Sequence, residues 1–337
     1  MQSKERNLTM KKIINNPYSV VSDMLSGLAK ANSELLYSPQ LEVISRKTKS
    51  GKVGVISGGG AGHEPAHAGF VGDGMLDAAV SGNVFASPSP DRIIEGLHQA
   101  DSGKGVLMII KNYSGDIMNF QLAGEMAAEE GIQVEHVVVK DDVAVPDSTL
   151  SAGRRGIAGT IFVHKIAGAA AKSGLPLDEV KRLAQKAIDN VRSMGMAMSP
   201  CILPAVGSPG FTLEDDEMEL GMGIHGEPGI RREPMVSAYE IAQKLLQPIF
   251  NDLNYENNEV ALLVNGMGGT PLMELYILCN EAEKELRKAN IQLHRIFVGN
   301  YMTSLEMSGC SLSLLRLDEE LKHYLNIPCN TTALKIT

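Results

Sequence analysis

KVGVISGGGAGHEP, residues Lys52–Pro65, sets a short apolar run directly against four glycines and a histidine. Lys52–Ser57 reads as a β-strand. Gly58–Gly62 reads as the turn that leaves it, with backbone N–H groups able to cradle an anion. The arrangement recurs downstream: Gly105–Ile110 (GVLMII) and Val134–Val139 (VEHVVV) read as strands, each closing on turn residues. Pro90–Ala100 and Asn119–Glu130 lie between them as helices. Such alternation predicts an α/β fold with a doubly wound, mostly parallel sheet covered by helices on both faces. Ligands of these sheets bind beyond the carboxyl ends of the strands. His63, then Lys111 with Asp116, then Asp141–Asp142 follow the three strands in turn.

Leu177–Met194 places Leu177, Val180, Leu183, Ala184, Ala187, Ile188, Val191 and Met194 at helical spacing. The proline- and glycine-rich stretch after it marks a domain boundary. An N-terminal α/β domain over 1–192 and a C-terminal mixed-sheet α/β domain over 193–337 are expected. The second should hold helices near Ser237–Phe250 and Pro271–Ala289 and strands at Val260–Val264 and His294–Gly299. Residues 1–9 read as a disordered extension ahead of Met10.

With 44% hydrophobic and 21% charged residues, the 337-residue chain has the composition of a soluble globular protein. A net charge of −9 argues against nucleic acid as a direct partner, because phosphate binding needs a basic surface. The polar N-terminus lacks the apolar core of a signal peptide, and no apolar run reaches membrane-spanning length. Cys201, Cys279, Cys310 and Cys329 form no CxxC pair and read as free thiols in a reducing cytoplasm.

Three glycine-framed segments carry the chemistry. GMGIHGEPG (Gly221–Gly229) holds a single imidazole, His225, in a tight loop. GGGAGHEP presents His63, and KNYSGD (Lys111–Asp116) presents a cation and a carboxylate. Asp116 also reads as an N-cap ahead of Ile117–Glu130. His63-Glu-Pro-Ala-His67 matches HExxH, but Pro65 and a helix starting near Glu64 would keep the two histidines off one face, so no zinc site is expected. Gly221–Gly226 matches GxGxxG yet continues as turn, and no P-loop occurs. His98, His136, His164, His294 and His323 read as surface or core residues, and Asp215–Glu219 as a solvated acidic turn.

Taken together, GGGAGHEP, IKNYSGD, AGRRGIAGT, GMGIHGEPG and NGMGGTPLMELY resemble, in the same order, the substrate-binding subunits of the dihydroxyacetone kinase family. The resemblance runs from Met10 to Leu317 and is to the bacterial subunits that depend on the phosphotransferase system (PTS). It implies a cytoplasmic homodimer that binds dihydroxyacetone and acts as one subunit of a phosphoenolpyruvate–glycerone phosphotransferase. It further implies that His225 forms a hemiaminal with the ketone carbon, and that His63 and Asp116 act as acid–base groups. Gly60, Ala61, Gly62, His63, Lys111, Asp116 and His225 would bind the substrate. ADP and Mg would reside on a separate L-type partner subunit, recharged by a PTS phosphoryl donor, so this chain would hold no cofactor or metal of its own. Ala61 stands where the family usually has serine, and Ile327–Thr337 departs from its usual ending. The family also includes catalytically silent paralogues that act as dihydroxyacetone-sensing transcriptional co-activators. Possession of both His63 and Asp116 favours the kinase, since a sensor needs only capture.

Overall fold

The computed structural model describes residues 11–49, 51–146 and 153–337. The extension expected over 1–9 lies outside them. The chain opens with α1 (Val20–Ala31), β1 (Leu35–Ser38), β2 (Val43–Arg46) and β3 (Gly54–Ala61). Next come β4 (Gly72–Asp73), β5 (Ala78–Val84), α2 (Pro90–Ala100), β6 (Val106–Lys111), α3 (Ser114–Glu129) and β7 (Val134–Val139). Two helices follow, α4 (Thr160–Lys172) and α5 (Leu177–Asn190), then β8 (Val191–Ala197), β9 (Glu217–Leu220) and β10 (Arg231–Pro234). The remainder is α6 (Ala238–Asp252), β11 (Glu259–Gly266), α7 (Leu272–Lys288), β12 (Gln292–Gly299), β13 (Gly309–Leu317), α8 (Glu319–Asn326), β14 (Cys329–Thr331) and β15 (Lys335–Ile336).

The first sheet has the order β1-β2-β5-β3-β6-β7. Its inner pairings β5/β3, β3/β6 and β6/β7 are parallel, and β1 and β2 form an antiparallel edge. It is doubly wound because β6 is apolar on both faces. Val106, Met108 and Ile110 pack with Ile93 and Leu97 of α2 and Phe120 of α3, whereas Leu107 and Ile109 pack with Phe162 and Ile166 of α4 and Leu183 of α5. The second sheet, β10-β9-β8-β13-β11-β12, is mixed, with only β11/β12 parallel. β11 splits its faces in the same way: Val260, Leu262 and Val264 face α6 and α7, and Ala261 and Leu263 join the α4–α5 core. One helical layer thus serves both sheets. Its centre is α4, buried from Thr160 to Ala171. His164 lies there with no exposed surface, a core histidine. A small third sheet ties the C-terminus back through β14/β4 pairing.

Several elements differ from expectation. β3 continues through Gly58–Gly60 rather than ending at Ser57, and those glycines stay in register with Val80–Gly82 of β5. A side chain on Gly58 would collide with the Val80 carbonyl, so here the glycines admit a neighbouring strand instead of making a turn. The helix expected over 177–194 ends at Asn190, and Val191 and Met194 belong to β8. Three residues apart, they would share a helix face, but in β8 they point to opposite faces, Val191 into the α4–α5 core and Met194 toward α6 and α7. Glu219 is not part of a solvated turn. It is buried in β9, accepting from Gly229 N at 2.7 Å and paired with Arg232 at 3.0 Å.

Two glycines in helices should respond to alanine with opposite signs. Gly27 in α1 is exposed, and a Cβ placed on it would meet nothing within 4 Å. Gly27→Ala should stabilise by up to about 1 kcal/mol through helix propensity. Gly168 in α4 lies against the Met75 backbone, where a Cβ would overlap main-chain atoms. Gly168→Ala should destabilise by about 1–3 kcal/mol through overpacking. Urea unfolding of both variants checks the pair.

Candidate active site

The site gathers at the carboxyl ends of β3, β5 and β6, closed from the far side by the second sheet. Beyond β3 the chain turns through Gly62 and His63. Residues 64–67 form a turn, not the helix start expected near Glu64. His67 therefore leaves His63 and stands 5.2 Å, ring to ring, from His164. Among the described residues no cluster of three or more His, Cys, Asp or Glu could hold a metal ion.

His63 is fully buried and clamped by the segment between β12 and β13. Its Nδ1 lies 2.7 Å from the Thr303 carbonyl oxygen, and the backbone N–H groups of Thr303 and Leu305 donate to the carbonyls of His63 and Gly62. Burial, then the neighbouring His225 and Lys111, hold the imidazole well below the usual histidine pKa, so it is neutral near pH 7. A neutral ring facing a carbonyl through Nδ1 carries its proton there. Nε2 then presents a lone pair, and it has no partner among the described residues. This His63 can accept a proton but has none to give from Nε2.

His225 arrives from the loop between β9 and β10. Gly221 N donates to the Gly195 carbonyl at 2.7 Å, and Arg155, paired with Asp142, donates to the Gly221 carbonyl at 2.8 Å. The His225 ring stands 4.8 Å from that of His63, edge to face. Phe85 stacks on His63 at 5.1 Å and meets His225 at 5.3 Å, and Tyr113 meets His225 at 4.6 Å. The three aromatic contacts leave His225 partly open, with 20% of its side chain exposed. Its Nδ1 lies 2.8 Å from Glu227 Oε1, and its backbone N–H donates to Glu227 Oε2 at 2.9 Å.

Lys111 ends β6 and is wholly buried. Its Nζ donates to the Gly58 carbonyl and to Asp116 Oδ2, both at 3.3 Å, and lies 5.7 Å from the Tyr113 ring centroid. Asp116 is not the helix cap expected from sequence. α3 begins at Ser114 behind Tyr113, and Asp116 falls in its first turn, 3% exposed and turned toward Lys111. Gly59 makes this approach feasible, since any side chain there would strike Lys111 Nζ. Gly60 and Ala61 are buried in β3, and Gly62 follows directly.

The structure therefore brings His63 and His225 edge to face and couples Lys111 to Asp116 beside the same glycine segment. Sequence reading passes over Glu227, Phe85, Tyr113 and Thr303. Glu227 carries a signal, an acidic residue two positions after the loop histidine, whereas Thr303 and Phe85 come from segments with no motif of their own. A cavity of about 380 Å³ opens beside the site, lined by Ala61, Gly62, Glu64, Val84 and Leu305 but by neither histidine, so its size does not mark the chemistry.

Residues 26–333 match the Dak1 domain. The chain is 51% identical over 328 residues to the dihydroxyacetone-binding subunit DhaK of PTS-dependent dihydroxyacetone kinase 1 from Listeria innocua, covering 96% of this chain and all of that protein. The solved structure of the dihydroxyacetone kinase operon co-activator Dha-DhaQ superposes with a TM-score of 0.87 at 40% identity, over 93% of this chain and 97% of that one. The dihydroxyacetone kinase of C. freundii, in complex with AMP-PNP and Mg2+, gives a TM-score of 0.90 at 36% identity, over 97% of this chain and 61% of that one. The chain belongs to the Dak1-domain family of dihydroxyacetone kinase subunits.

Proposed function

We propose that this chain is the dihydroxyacetone-binding subunit of a PTS-dependent kinase. His225 captures the ketone covalently as a hemiaminal, and the bound substrate offers a hydroxyl to a phosphoryl group carried by a separate ADP- and Mg-bearing subunit of L type. That subunit is recharged by a PTS phosphoryl donor, and the product is dihydroxyacetone phosphate. The chain acts as a cytoplasmic homodimer. Neutral imidazole is a nucleophile and a ketone offers an electrophilic carbon, which glycerol lacks. Covalent capture thus rejects glycerol by chemistry, where hydrogen bonds alone discriminate poorly.

The observation that carries the proposal is the pairing of two unlike histidines. His225 is partly open and His63 is buried, neutral and without a partner for Nε2 among the described residues, with their rings 4.8 Å apart. A sensor that only captures ketone has no use for a second, buried proton acceptor or for the Lys111–Asp116 pair. His63 Nε2 is suited to accept from a substrate hydroxyl. Asp116, steered by Lys111, takes the proton of the attacking hydroxyl. Gly60, Ala61, Gly62 and Lys111 complete the substrate cradle.

The co-activator likeness favours one second reading, a paralogue that senses dihydroxyacetone without phosphorylating it. Supplying dihydroxyacetone and an ADP-loaded L-type partner with its phosphoryl donor separates the two. The kinase subunit forms dihydroxyacetone phosphate in that mixture and consumes no ATP when alone. Ketone capture with no phosphorylation by any PTS-linked partner would transfer the assignment to the sensor. Steady ATP turnover by the isolated chain would defeat both.

Asp116→Asn keeps the side-chain shape and removes the base. Phosphorylation should fall by at least about 10²-fold, while ketone still loads on His225. A coupled assay for the phosphate ester follows the first, and the NMR signal of carbonyl-labelled ketone the second. Near-wild-type phosphorylation would remove Asp116 from the chemistry.

A further inference from the structure

We infer that Glu227 is the positioning residue for capture: its carboxylate fixes His225 as the Nδ1–H tautomer, aims the Nε2 lone pair at the ketone and offsets the charge that attack places on the ring. The inference rests on the capture reading above and deepens it.

The geometry is two-pronged. One carboxylate oxygen faces His225 Nδ1 at 2.8 Å, and the other accepts the His225 backbone N–H at 2.9 Å. A carboxylate held by the histidine's own backbone cannot drift when the ring moves. The loop is shaped for this fold-back. Gly223 N donates to the Glu227 carbonyl at 3.2 Å, and Gly226 N to the Gly223 carbonyl at 3.3 Å. A side chain on Gly223 would occupy the place of Glu227 Oε2 and crowd Arg155. Burial alone would raise the Glu227 carboxyl. The hydrogen bond from His225, with backbone N–H donors, outweighs it and holds it at about 2. The group is therefore ionised throughout the neutral range.

Neutral imidazole has one N–H, and opposite a carboxylate that proton sits on Nδ1, so Nε2 is the free nucleophile. In the capture step the Nε2 lone pair forms the C–N bond and the carbonyl π pair moves onto oxygen, which takes a proton from water. The ring becomes an N-substituted imidazolium whose Nδ1 proton points at Glu227. That proton stays on Nδ1, hydrogen-bonded to the Glu227 carboxylate, so the adduct is held as an imidazolium–carboxylate pair and the step takes up from solvent the one proton that oxygen gains. The opposite tautomer would present N–H to the ketone and could not attack.

The test uses the full chain with Glu227→Ala and Glu227→Gln. Nitrogen-15 NMR of labelled histidine reads the His225 tautomer, its signal identified by loss in His225→Ala. Carbon-13 NMR of dihydroxyacetone labelled at the carbonyl reads capture. Wild type should carry the proton on Nδ1. In Glu227→Ala the tautomers should mix and capture should slow by roughly 10–100-fold, by analogy with the loss when the partner behind a metal-ligating histidine is removed. Glu227→Gln, whose amide oxygen still accepts from Nδ1 but carries no charge, should fall between. A carboxylate that merely braces the loop would leave the tautomer unmoved. Wild-type His225 protonated on Nε2, or capture by Glu227→Ala at the wild-type rate, overturns the inference. Should Glu227→Ala not fold, the wild-type spectrum and the Gln variant decide. A wild type with the Nδ1–H tautomer that captures no ketone would instead sink the capture reading and leave the assignment of Glu227 to the tautomer standing.

Discussion

Everything at the site depends on the hydrogen bonds that lock Gly62–Glu64 to Thr303–Leu305. His63 belongs to the first sheet and His225 to the second, so no local element holds them together. The lock does so with four contacts: Leu305 N to the Gly62 carbonyl, Thr303 N to the His63 carbonyl, His63 Nδ1 to the Thr303 carbonyl, and Thr303 Oγ1 to the Glu64 carbonyl. One of these also sets the tautomer of His63, which burial keeps neutral. A seam that joins the two halves is therefore the same feature that makes one histidine a proton acceptor. Behind it, the shared α4–α5 core leaves the sheets little freedom to shift, because close-packed side chains from both would have to separate together.

The site also concentrates costs that packing elsewhere must offset. Lys111 and Asp116 are removed from water, and a buried ion pair of this kind seldom stabilises a fold relative to apolar residues of the same size. Phe85 and Leu305 adopt φ values of 57° and 53°, which side-chain-bearing residues seldom take and which cost of order 1–3 kcal/mol each. Both residues flank the histidines: Phe85 stacks on His63, and Leu305 is one half of the lock. Strain and desolvation meeting where the rings meet is the pattern expected of an arrangement kept for chemistry. Buried, pre-oriented groups are also what covalent capture requires, since an imidazole free to rotate would lose most of the advantage of proximity.

Much of this is legible in the chain. β6 and β7 stand out as apolar runs, and the ends of the first strands give His63, Lys111 and Asp116 together. The doubly wound parallel sheet follows from the same alternation, and the five glycine-rich motifs give the family. What escapes reading has physical reasons. Gly58–Gly60 look like a turn by composition, and only the close approach of β5 keeps them in the sheet. Val191 and Met194 match a helical period by their spacing of three, and only a strand paired with β13 and buried on both faces gives each an apolar side of its own. Glu219 looks solvated until Gly229 and Arg232 are seen to satisfy it. Sequence puts Asp116 at the right helix end but as its cap, because the partner that draws it into the first turn, Lys111, is fixed by the sheet and not by the helix. Thr303 and Phe85 act through contacts made across long stretches of sequence, which no local motif announces.

The central claim is that a ketone becomes bonded to one specific nitrogen of this chain. The direct measurement is a crystal structure of the protein equilibrated with dihydroxyacetone. Continuous electron density at covalent distance between His225 Nε2 and a tetrahedral former carbonyl carbon, with Nδ1 still facing Glu227, is the predicted result. An unmodified His225 ring with intact, planar ketone bound nearby, or density bonded to another residue, would contradict the account.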